Sequence, residues 1–133
     1  MKQVRSSIIS KALKESLKSE HKYRIGAVIF NHKTIVSSGR NYTLKSVRSF
    51  TIRFIKYRGS VHAEVDAIIN AKKDLKGCSM IIIRSGRSGN LLPSFPCKWC
   101  LGYIEHVGIK NIFYMNKEIK LMSYKIGGRS IDK

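Results

Sequence analysis

Residues 62–64 read His62-Ala63-Glu64, and residues 96–100 read Pro96-Cys97-Lys98-Trp99-Cys100. Each segment opens a stretch with helical periodicity, and together they decide the fold. Cys97 and Cys100 are three apart on a helix, so both thiols project from one face. Pro96 suits the first helical position, where its missing N–H costs nothing. The positive end of the helix dipole favours thiolates, the form that binds metal. His62 and Glu64 are separated by about 200° on an ideal helix, so they serve one site only if His62 stands where the chain is still turning into the helix. There His62 reaches a metal while Glu64 faces a water and a substrate. One nitrogen and two sulfurs leave the fourth tetrahedral position of a zinc ion open, the arrangement of a catalytic site. The competing reading is a structural metal staple, which needs four protein ligands. His21, His32, His106 and Cys78 offer no partner at telling spacing.

Working outward, Arg5 to Ser19 carries Val4, Ile8, Ile9, Ala12, Leu13 and Leu17 at or beside helical spacing and reads as an amphipathic helix. Tyr23–Phe30 and Thr34–Asn41 are β-rich around an Asn31-His32 turn and form an expected hairpin, with Gly39 a candidate bulge. His62 to Lys73 is the second helix, with Gly77 past its end. Met80–Ile83 is a continuous apolar run, suited to a central buried strand. Ser85 to Ser94 is expected to be a loop. Pro96 to Val107 is the third helix, stopped near Gly108. Asn111–Met115 and Ile119–Ile126 are the last strands. The connector between them is too short for a parallel crossover, so they pair antiparallel. The expected fold class is α/β: an α/β/α sandwich around a mixed five-stranded sheet, in the order α-β-β-α-β-α-β-β.

The chain has 133 residues, enough for one compact domain, taken as residues 1–126 with a flexible basic tail over 127–133. Hydrophobic residues make up 43%, which excludes a disordered chain. No apolar run reaches the ~18 residues of a membrane span, and Met1–Ser10 lacks the apolar core of a signal peptide. An intracellular location, cytoplasmic or nuclear, follows as the expectation. Three cysteines argue against a disulfide framework, and Cys78 reads as a small core residue. Lys and Arg total 26 against 8 Asp and Glu, a net charge of +18. A domain this basic attracts polyanions, nucleic acid or phosphorylated small molecules.

The pair of motifs, His-x-Glu and Pro-Cys-x-x-Cys, resembles the signature of the cytidine deaminase superfamily of zinc-dependent deaminases, and the resemblance runs from about Tyr23 to Tyr124. The C-terminal hairpin is similar to that of the branch containing free cytidine deaminases, blasticidin deaminase and several nucleic-acid-editing or toxin deaminases. The resemblance implies a Zn2+ cofactor on His62, Cys97 and Cys100, with Glu64 as the catalytic proton carrier. It further implies that Asn41 holds a substrate sugar and that the backbone amide of Ala63 contacts the base carbonyl. Phe95, with Pro96 beside it, would pack on the base. Core packing for Phe95 and a turn role for Asn41 stand as the alternatives. The implied reaction is hydrolysis of cytosine to uracil.

Three substrate readings follow. The first is cytosine in nucleic acid, DNA or RNA, with single strands favoured. Residues Tyr42 to Ser60 interleave aromatics with cations and hold no acid, the composition of a single-strand channel. Arg40, Lys45, Arg48, Arg53, Lys56, Tyr57 and Arg58 are its candidate contacts. The second is a free cytidine nucleoside, nucleotide or related small molecule, whose closed pocket is often completed by a neighbouring subunit of a homo-oligomer. The third is a non-catalytic zinc-containing module that binds nucleic acid, against which an intact Glu64 argues.

Overall fold

A computed structural model of the chain describes residues 4–19, 24–43 and 60–126. Helix α1 (Ser6–Lys18) precedes the hairpin β1 (Arg24–Asn31) and β2 (Thr34–Arg40). A two-residue ladder, β3 (Tyr42–Thr43) with β4 (Ser60–Val61), leads into α2 (Ala63–Ala71). Strand β5 (Ser79–Ser85), a short β6 (Leu91–Leu92), α3 (Lys98–His106), β7 (Asn111–Met115) and β8 (Leu121–Lys125) follow. The main sheet runs β2-β1-β5-β7-β8, with β6 paired to the far half of β5. Only β5 and β7 are parallel, joined by a crossover through α3. The expected mixed sheet and α/β/α layering are thus present, with β6 as an added sixth strand.

Period-two alternation assigns the faces. On β5, Met80 and Ile82 join Ala27, Ile29, Ala63, Ala67, Ile104 and Ile112 in the core beneath α2 and α3. Ile81 and Ile83 turn the other way and pack with Val28, Phe30, Phe113, Ile8 and Ala12 beneath α1. Both faces of β5 are covered, which is why its sequence is a continuous apolar run.

Three local expectations are corrected. The β1–β2 register shifts between Ile29 and Phe30, where Ser37 and Ile35 are the successive partners, so the bulge falls at Val36 rather than Gly39. Gly39 instead lets α2 approach, because a Cβ there would collide with backbone atoms of Ala67 and Ala63. The second helix stops at Lys72, which takes the left-handed φ of 52° itself, five residues before Gly77. Residues 85–94 are not all loop, since Leu91–Leu92 pairs with β5.

The C-terminal pair is antiparallel from Asn111↔Lys125 to Met115↔Leu121, as its short connector required. Asn116 organises that turn, its Oδ1 accepting from the amides of Glu118 at 2.9 Å and Lys120 at 3.0 Å. No helix among the described residues is long and apolar enough to cross a membrane. The expected tail, 127–133, lies outside the described residues.

Candidate active site

The two motifs meet at the N-terminal ends of α2 and α3. His62 is the N-cap of α2, with extended backbone (φ −80°, ψ 151°), so it precedes the helix rather than riding on it. That placement resolves the angular problem of the pair: His62 turns toward α3 while Glu64, in the first helical turn, faces inward. On α3, Cys97 is the N-cap and its thiol accepts the Cys100 amide at 3.4 Å. Pro96 therefore stands before the cap, not at the first helical position, and it is buried. The cap geometry achieves what the helical spacing predicted, bringing Cys97 and Cys100 to one side.

The donor atoms of His62, Cys97 and Cys100 all lie within 4.8 Å of one another. His62 Nδ1 is 3.1 Å from Cys100 Sγ and 3.6 Å from Cys97 Sγ. A tetrahedral zinc with Zn–N near 2.0 Å and Zn–S near 2.3 Å sets its nitrogen and sulfur ligands roughly 3.5 Å apart. The triad matches that spacing and supplies borderline and soft donors that zinc accepts. It is also the one such group among the described residues. Cys100 is buried against Val65, with Ile69 and Tyr103 closing an apolar wall. Cys97 is pulled down to about 4, first by the hydrogen bond with Cys100 and, against burial, by His62. Cys100 is pushed up by the same hydrogen bond and by burial. The hydrogen bond between the two sulfurs is what drives them apart, and a divalent cation held there would take the place of its proton. The hydrogen bond with Cys97 in turn raises His62.

Glu64 is only 3% exposed, and its Oε1 has no hydrogen-bond partner among the described residues. Burial pushes its carboxyl up, against its own backbone hydrogen bond and the His62 charge that pull it down. The carboxyl also meets the Cys100 thiol, but a buried oxygen left unpaired costs stability. Beside the triad, that open oxygen is able to accept a proton from a water or substrate in the site.

The remaining candidates are placed as follows. Ala63 is fully buried as the first residue of α2, where an amide has no carbonyl four residues back to bond. Asn41 is buried, and its Oδ1 accepts from the Ile25 amide at 2.9 Å and the Ser19 hydroxyl at 2.8 Å, so it ties β1, β2 and the end of α1 together. Arg40 is exposed; its guanidinium pairs with Glu15 at 3.5 Å and its amide donates to Asp66 at 3.0 Å. Phe95 is 47% exposed, so it is not a core residue, and it meets Tyr114 and Tyr124 edge-on at 4.8 and 5.4 Å. Lys45, Arg48, Arg53, Lys56, Tyr57 and Arg58 lie outside the described residues.

One residue escaped the sequence reading. Ser94 is buried; its hydroxyl donates to the Ile82 carbonyl at 2.7 Å and accepts the Met115 amide at 2.9 Å. It clamps the segment before Pro96 to β5 and β7 and so sets where Cys97 begins α3. Its only signal in the sequence is proximity to Pro96-Cys97.

With the geometry in place, comparison with known proteins gives a consistent picture. The family described as the cytidine and deoxycytidylate deaminase zinc-binding region matches residues 2–116. A curated protein of Aliivibrio fischeri, an uncharacterized deaminase in the luxG 3′ region, is 34% identical over 93 residues. That match takes in 68% of this chain but only 56% of the relative's length. Among solved structures, the cytidine deaminase of Burkholderia pseudomallei superposes with a TM-score of 0.66 over 95% of both chains at 15% identity. The dCMP deaminase of cyanophage S-TIM5 superposes with a TM-score of 0.62 at 19% identity, over 84% of this chain and 82% of the other. At such identities the structural matches speak for the fold.

Proposed function

The chain belongs to the cytidine and deoxycytidylate deaminase zinc-binding family, and on that footing we propose that it hydrolyses the exocyclic amine of cytosine carried on a free nucleoside or nucleotide. Water adds its oxygen at C4, the C4–N bond breaks, and ammonia leaves a uracil ring behind. The observation that carries this reading is the buried, unpartnered Oε1 of Glu64 beside the His62, Cys97 and Cys100 donors. Zinc held by those donors supplies a water activated for attack at neutral pH. Glu64 takes one proton of the water and passes it to the ring nitrogen, then takes the second from the hydroxyl now on C4 and passes it to the departing amine. Its raised carboxyl suits both halves of that transfer, since it holds a proton more readily than an exposed glutamate does. The Ala63 amide, at the positive end of α2, polarises the base carbonyl. Phe95 and Pro96 form the wall against which the base lies. Asn41 acts as a brace for the substrate side of the sheet, because its Oδ1 is already shared by Ile25 and Ser19.

Two points favour a free substrate over a polynucleotide. The family is described by cytidine and deoxycytidylate, and the two superposed enzymes are named for those monomers. In addition, the charge of Arg40 is taken up by Glu15. The net charge of +18 favours the second reading, cytosine in nucleic acid. The zinc-loaded protein incubated with cytidine, deoxycytidylate and a cytosine-containing oligonucleotide separates them by mass. A gain of about one dalton, amine to oxygen, is expected on the monomers; a gain confined to the oligonucleotide overturns the monomer reading.

A further inference from the structure

A second feature lies far from the metal donors. A cleft of about 310 Å3 opens where the β1–β2 turn meets the start of α1 and the first residue of β5. Arg5, His32, Lys33 and Lys110 border it, and no acidic residue lines it. The ion pairs among the described residues all end on Glu15, with Lys11, Lys18 and Arg40, so the cleft's three permanent cations have no counterion there. Arg5 is also the N-cap of the 13-residue helix α1; it makes no side-chain cap, and the first turn holds no acid. The first amides of α1, next to Arg5 in the chain, have no carbonyl four residues back to bond. Ser79 supplies the separate indication of a ligand. It is 7% exposed, lines the cleft, and alternates onto the α1 face with Ile81 and Ile83. Its hydroxyl has no hydrogen-bond partner among the described residues. A hydroxyl on a buried serine, open only to a cleft that three cations and a helix N-terminus border, is arranged for an anion with several acceptor oxygens.

We propose that this cleft binds a phosphate group. His62 follows the β3–β4 ladder beyond the far end of β2, whereas Lys33 precedes the near end. The seven residues of β2 separate the two, or roughly 20 Å at the rise of a strand. The sheet also intervenes, since the cleft is on the α1 side and the metal donors belong to α2 and α3. The phosphate is therefore not that of a cytosine substrate bound at the metal. It comes either from a small phosphorylated molecule or from a polynucleotide backbone. The volume lies at the lower end of the ~300–1,000 Å3 usual for small-molecule sites.

The test is an amide-resolved NMR titration of the zinc-loaded protein with two probes, pyrophosphate and an oligothymidylate, which has no amine to lose. The expected result is that pyrophosphate shifts Ser6, Ser7 and Ser79 first. The Lys33→Glu/Lys110→Glu protein, charge-reversed at exposed positions, should bind it at least ~10-fold more weakly, with cytosine deamination unchanged. Tighter binding of oligothymidylate at the same amides, lost in the same variant, assigns the phosphate to a polynucleotide; binding of pyrophosphate alone assigns it to a small molecule. Should the double variant not fold, Ser79→Ala is read instead, with weaker pyrophosphate binding expected. Shifts centred elsewhere, or undiminished binding by the variants, overturn the proposal. The binding readouts do not require the protein to be a deaminase.

Discussion

Two glutamates, one on each side of the sheet, are equally hidden and opposite in character. Glu15 on α1 is 5% exposed and Glu64 on α2 is 3% exposed. Around Glu15 the fold gathers Lys11 at 3.1 Å, Lys18 at 3.8 Å, Arg40 at 3.5 Å and the Ser38 hydroxyl at 3.2 Å. Burial alone would push Glu15 up, but Lys11, Lys18 and Ser38 outweigh it and hold the carboxyl below its ordinary value. Around Glu64 the fold supplies an apolar helix interface and leaves Oε1 unpaired, so burial wins and the carboxyl rises. The contrast teaches that burial alone does not set the character of an acid; the partners that the fold supplies, or leaves out, do. Glu15 is consumed in joining α1 to β2, whereas Glu64 keeps an oxygen open for the proton transfer proposed above.

That contrast can be broken or sharpened by experiment. The largest effect is expected at the metal donors. His62→Ala should retain no zinc after dialysis, a loss beyond the ~10–100-fold that changes outside the ligand set produce, and deamination should vanish with it. Metal analysis of the dialysed variant checks this. Next is Glu15→Gln, which should lower stability by about 1–2 kcal/mol by denaturant unfolding while leaving kcat within ~2-fold. A large fall in kcat with stability unchanged would give Glu15 a chemical role and erase the contrast. Ser94→Ala should cost about 1–2 kcal/mol, since the Ile82 carbonyl and Met115 amide lose their shared partner. It should lower kcat as well, because the start of α3 shifts.

The smallest effect is in acid. The folded-state pKa of Glu15 lies below its ordinary value of 4.5, so its contribution is fully present above that value and fades as pH falls through the lower, folded one. Melting curves from neutral pH to strong acid should therefore fall more steeply for the native chain than for Glu15→Gln, so that the gap between them at neutral pH closes on the acid limb.

Much of this was legible because the chemistry is concentrated in two short segments. His62-Ala63-Glu64 and Pro96-Cys97-Lys98-Trp99-Cys100 each carry their residue types at a spacing that a helix start can use. The antiparallel final pair was legible from connector length alone, and the buried β5 from its unbroken apolar run. What escaped depended on partners distant in sequence. Ser94 acts through Ile82 and Met115, 12 and 21 residues away, and a lone serine announces neither. Leu91–Leu92 is too short to show a period. Gly39 read as a bulge because the approach of α2, which forbids a side chain there, belongs to the tertiary fold. The capping role of Cys97, one position before the helix, moved Pro96 outside it.

The most direct test of the account is Glu64→Gln, which keeps the size of the side chain and removes its ability to carry a proton. Zinc content, thermal stability and turnover of cytidine and deoxycytidylate should be measured together on the native and substituted chains. The account predicts one zinc per chain in both and equal or greater stability for Glu64→Gln, since an orphaned buried carboxyl is gone. Turnover should fall by about 10²–10⁴, the range for loss of a general acid–base. Turnover near the native level with zinc in place would contradict the assignment of Glu64, and with it the central claim.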